Sequence, residues 1–100
     1  MEQFNLTFLA TSQAAGKALA GVVSSGDLEV LFDAGSGDML EVDITTSVNN
    51  SRARWEALFG RLMQLGRLPA GKMLIHDAGA TPGVARIRIE QVFEEVGYAT

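Results

Sequence analysis

The apolar residues change period near residue 50, and that change bounds what the chain can fold into. Upstream, Phe4, Leu6 and Phe8 alternate with Asn5 and Thr7, and Leu40, Val42 and Ile44 alternate with Glu41, Asp43 and Thr45. Leu28, Val30 and Phe32 do the same against Glu29 and Asp33, although Leu31 interrupts them. A period of two marks a strand with one face buried and one face wet. A further strand is expected over Ala18 to Val23, after a small and polar loop from Thr11 to Lys17. Gly, Ser and Asp crowd the turn from Asp33 to Asp38. Four strands joined in succession predict an antiparallel meander.

Downstream, Trp55, Leu58, Phe59 and Leu62 recur at helical spacing, widened by Met63 and Leu65. Asn49, Asn50 or Ser51 supplies an N-cap, and Gly66 with Pro69 a stop. Met73 to Asp77 reads as a short fifth strand. Thr81 then caps a last helix with Pro82 in its first turn and Ala85, Ile89, Val92, Phe93 and Val96 on one face. Residues 85–89 also alternate, so a strand competes there, but Glu90 to Val96 favours helix. The expected fold is α+β: a two-layer sandwich of a mainly antiparallel sheet of about five strands, with two helices on one face. Residues 1–100 are read as a single domain.

Composition narrows the chemistry. With no cysteine, disulfides, thiolate metal sites and cysteine nucleophiles are excluded. A formal charge of −4 disfavours nucleic acid, whose phosphates repel an acidic chain. No apolar run approaches the roughly 18 residues of a membrane span. The opening MEQFNLTFLA carries no basic leader, so neither membrane nor export is expected, and the location expected is cytoplasmic. His76 and Asp77 are adjacent, and strand neighbours point to opposite faces, so they do not pair as a general base. His76 and Trp55 suit a core or an interface. Arg52, Arg54 and Arg61, and Glu90, Glu94 and Glu95, read as solvated helix faces. Gly35, Gly37 and Asp38 resemble a phosphate loop in composition alone, and no nucleotide-binding motif is present. Lys17 and Lys72 lack the hairpin setting of a biotinyl or lipoyl lysine. Nothing in these residues builds an enzyme active site.

What remains is Gly21 to Phe32, GVVSSGDLEVLF, with Ser24, Ser25, Gly26 and Asp27 between two strands. Such a segment is ordinary turn chemistry, and equally a place where another enzyme reaches a serine. A serine hydroxyl needs a neighbouring base to act as a nucleophile, and none lies in the segment.

Together with VNNSRARW (Val48 to Trp55), HDAGATPG (His76 to Gly83) and RIRIEQ (Arg86 to Gln91), this segment resembles the acyl carrier subunits of bacterial malonate decarboxylases. The resemblance spans nearly the whole chain. It extends more faintly to the citrate lyase carriers, where AGTLESSDVMV matches Ala20 to Val30 and Asp-x-Gly-Ala matches Asp77 to Ala80. It implies a carrier subunit, not a catalyst: a phosphoprotein whose serine bears 2'-(5''-phosphoribosyl)-3'-dephospho-CoA through a phosphodiester. It implies, too, a transferase (holo-carrier synthase) that attaches the group, a malonyl transferase, and acyltransferase and decarboxylase subunits. In that scheme the acetyl thioester is exchanged for malonyl, and decarboxylation restores it.

In the malonate decarboxylase carriers the residue before the modified serine is usually glycine, and here it is Ser24. Both family comparisons place the modification on Ser25, with Ser24 as rival and Gly26 and Asp27 as supporting turn residues. An unmodified domain bridging the subunits of some other complex, and a citrate lyase-type carrier, are the alternatives.

Overall fold

The computed structural model describes residues 1–11, 20–25, 27–35, 37–66 and 68–95, with 20–25, 34, 94 and 95 described by their backbone. The strands are β1 (Glu2–Leu9), β2 (Ala20–Ser25), β3 (Leu28–Ala34), β4 (Met39–Thr46) and β5 (Gly71–Asp77). The helices are α1 (Arg52–Gln64) and α2 (Pro82–Glu95). Residues 12–19 lie outside this description, and with them most of the expected loop and the start of the second expected strand. Gly26 and Val96 lie outside it as well, as do the side chains of Glu94 and Glu95.

The strands form one sheet in the order β1-β4-β5-β3-β2. The two-layer α+β architecture agrees with the sequence, but the meander does not. Only β2 and β3 are a sequential hairpin; β1 pairs with β4, and β5 enters between β4 and β3. The sheet is mixed, because β4 and β5 run parallel. Parallel neighbours need a crossover rather than a tight turn, and α1 supplies it. Periodicity specifies which residues are strand, whereas pairing order depends on how the crossover packs.

Both helices cover one face, α1 over β1 and α2 over β2 and β3. The core gathers Leu6, Val42, Met73 and Phe32 from the sheet with Trp55, Phe59, Leu62, Ile89, Val92 and Phe93 from the helices. Phe32 meets Phe93 edge to face, at 5.5 Å between ring centres and 77° between planes. Burying side chains of this size contributes about 2–3 kcal/mol each. Trp55 is therefore a core residue.

Helix α1 starts at Ser51, whose hydroxyl donates to the Val48 carbonyl (3.2 Å) instead of capping the helix. It stops where Gly66 takes φ 70° and its N–H bonds the Met63 carbonyl, a left-handed residue that glycine adopts without strain. Thr81 caps α2 as expected, its Oγ1 accepting the Val84 N–H (3.3 Å). Residues 85–89 are helical: Ala85 and Ile89 are buried one turn apart while Ile87 is 56% exposed.

Candidate functional site

The register places Ser24 opposite Glu29 and Ser25 opposite Leu28, so only positions 26 and 27 separate the paired strands. Sequence reading ends the second strand at Val23 and leaves both serines in the turn. They are instead the last two residues of β2. Serine carries no apolar mark of a strand face, and the ladder continues through it. Because β2 is an edge strand, these serines still lie at the margin of the sheet.

Cross-strand rows separate the two positions. Thr46, Asp77, Leu28 and Ser25 form one row; Thr45, His76, Glu29 and Ser24 form the next. Successive rows belong to opposite faces of a sheet. In the first, Thr46, Asp77 and Leu28 are buried on the helix-covered side; in the second, Glu29 and His76 are exposed.

Asp77 organises this end of the molecule. Its carboxylate accepts a hydrogen bond from Thr46 Oγ1 (2.8 Å) and from the backbone N–H groups of Gly79 (3.2 Å) and Ala80 (2.9 Å). Acceptance from residues two and three further on is an Asx-type turn, which fixes the path from β5 into α2. The sequence reading missed this role, although the Asp-x-Gly-Ala string was its signal. The same loop holds the serine hairpin, because the Ala78 N–H donates to the Asp27 carbonyl (2.9 Å). Asp27 thus supports the turn through its main chain, while the expected contribution of Gly26 lies outside the described residues.

His76 and Asp77 occupy opposite faces, as alternation requires. His76 Nδ1 sits 3.8 Å from Glu29 Oε1, with both side chains more than half exposed, so the contact is worth little. The concavity beside the hairpin is lined by Asp27, Glu29, Thr45, Thr46, His76 and Asp77 and is rich in carboxylates. Among the described residues no cluster of three or more acidic or histidine side chains is placed to hold a metal, and no helix is long and apolar enough to cross a membrane.

A second concavity opens between the helices. Arg54, Ala57, Leu58 and Arg61 of α1 face Pro82, Gly83 and Arg86 of α2 across it. The three arginines are a donor set suited to phosphate, since guanidinium forks match its oxygens. A groove of three arginines therefore fits a phosphate-rich group. Arg52 stands apart, 5.4 Å over the Phe4 ring and 3.8 Å from Glu56.

Comparison with known proteins agrees with the resemblance. Residues 15–96 match the family model described as malonate decarboxylase delta subunit (MdcD). The chain is 63% identical over 99 residues to the malonate decarboxylase acyl carrier protein of Klebsiella pneumoniae, covering 99% of this chain and 100% of that one. It is 49% identical to the protein of the same name from Pseudomonas paraeruginosa, over 98% of this chain and 99% of that one. A chain in the crystal structure of a Pseudomonas malonate decarboxylase hetero-tetramer in complex with malonate superposes with a TM-score of 0.83 at 45% identity, covering 97% of this chain and 100% of that one. On whole-length identity and a shared fold, the chain belongs to the malonate decarboxylase delta-subunit family.

Proposed function

We propose that this chain is the acyl carrier subunit of a cytoplasmic malonate decarboxylase, a single non-catalytic domain with Ser25 as its point of attachment. The observation that carries this reading is the full-length likeness to proteins named malonate decarboxylase acyl carrier protein. The serine-ended edge hairpin supplies a place for the tether.

The attached group is 2'-(5''-phosphoribosyl)-3'-dephospho-CoA, which when bound supplies the thiol that holds acetyl or malonyl. The chain's own part is positional. Attachment forms a bond from the Ser25 oxygen to phosphorus; the hydroxyl proton passes to a base on the transferase, and the activating group of the donor departs. Glu29 and Asp27 are the carboxylates nearest in sequence, and this reading assigns the base to the transferase. Tying Asp27 to Ala78 holds the hairpin against β5 while a partner engages it. A long tether raises the effective concentration of the thioester at successive sites. The partners are the holo-carrier synthase, a malonyl transferase, and the acyltransferase and decarboxylase subunits.

Intact mass after co-expression with the matching transferase tests this. A gain of one phosphoribosyl-dephospho-CoA is expected on the wild type and on Ser24→Ala, and none on Ser25→Ala. Adduct persisting in Ser25→Ala moves the site to Ser24. No adduct on the wild type, with a transferase shown active on another carrier, overturns the carrier reading in favour of an unmodified bridging domain. Acyl exchange measured with malonate against citrate separates the decarboxylase reading from the lyase one.

A further inference from the structure

The groove between α1 and α2 concentrates positive charge on an acidic protein. Arg54, Leu58 and Arg61 follow at spacings of four and three, so they form one stripe of α1. Pro82, Gly83 and Arg86 of the opening of α2 face that stripe. Three of the chain's eight Lys and Arg residues thus line one groove, and among the described residues no Asp or Glu does. Among the described residues, the Arg54 and Arg61 side chains have no hydrogen-bond or ion-pair partner. Arg86 gives its Nε to Glu90 (2.8 Å). Three like charges gathered around an apolar floor of Ala57, Leu58 and Pro82 repel one another, and a bound anion relieves that repulsion. The N-terminal end of α2 adds its positive dipole to the same space.

Position relates the groove to the serine. Arg54 also lines the small cavity that reaches down to Asp77 and Ala80. Asp77 stands opposite Leu28, and Leu28 opposite Ser25, which is two strand spacings, about 10 Å. The concavity nearer the hairpin is lined by the acidic Asp27 and Glu29, which repel phosphate. An anionic group tethered at the hairpin is therefore pushed from one concavity and drawn to the other.

We propose that the Arg54–Arg61–Arg86 groove binds the diphosphate of the serine-linked arm and parks it against the carrier between transfers. This rests on the carrier reading above, but its test uses unmodified protein, so the two can fail separately. The probe is ADP, which holds the diphosphate and adenosine of the arm, titrated into the apo chain and followed by amide and arginine Nε resonances. Saturable shifts are expected at residues 54–61, 83 and 84, with adenosine alone giving none. The double variant R54Q/R61Q is expected to weaken ADP binding about tenfold or more while keeping its amide spectrum dispersed. In the modified protein, the diphosphate phosphorus resonances are expected to move toward those of free CoA in R54Q/R61Q. The proposal is overturned if ADP gives no saturable shift at millimolar concentration, if the shifts fall elsewhere, if adenosine reproduces them, or if the double variant binds as tightly as wild type. Phosphorus resonances of the modified protein that coincide with those of free CoA also overturn it.

Discussion

On the helix-covered face of the sheet, Leu6, Val42, Met73 and Phe32 make a cross-strand row in which no residue is more than 5% exposed. One residue further along each strand, Thr7, Glu41, Lys72 and Asp33 make a row in water. The two faces share one backbone and one register, yet volume and packing govern the first while charge and solvation govern the second. In the backbone register Ser25 stands opposite Leu28 of the packed face and Ser24 opposite Glu29 of the wet one.

The comparison breaks if substitutions on the two faces cost the same. Phe32→Ala removes a fully buried ring that packs edge to face on Phe93, so a loss of about 3–5 kcal/mol is expected in urea unfolding. Asp77→Ala leaves the Thr46 hydroxyl and two backbone N–H groups without their acceptor; a loss of about 2 kcal/mol is expected, with faster amide exchange at Gly79 and Ala80. Leu74→Ser, on the open face at 38% exposure, is expected to shift stability by less than about 0.5 kcal/mol. A cost at Leu74 approaching that at Phe32 would mean that the open face is packed in the free protein.

Alternation made β1, β3 and β4 legible, because each turns every second residue toward the helices, fully buried in β3 and β4 and partly so in β1. It failed at the end of β2, where Ser24 and Ser25 have no hydrophobicity to mark the strand. It competed with the helical reading at Ala85, Ile87 and Ile89, which alternate in sequence although the helix buries only the first and last, and the expected helix is the one that forms. Strand order was hidden because inserting β5 between β4 and β3 depends on contacts between residues more than thirty apart, such as Val42 and Met73. The arginine groove was hidden for a related reason. Arg54 and Arg61 read as solvated positions, and Arg86 as part of the RIRIEQ string, until the packing of α1 beside α2 brings them to one place. Asp77 was legible as a motif, but its partner Thr46 was not.

The position of β5 also sets when the domain can be completed during synthesis. As the chain emerges, the β1–β4 ribbon and the β2–β3 hairpin can each form, but each exposes an apolar side and neither touches the other. The strand that joins them ends at residue 77, so about three-quarters of the chain must leave the ribosome before the sheet has a centre. Until then the serine hairpin lacks the Ala78 amide that anchors it, so the hairpin gains that tie only as the sheet is completed.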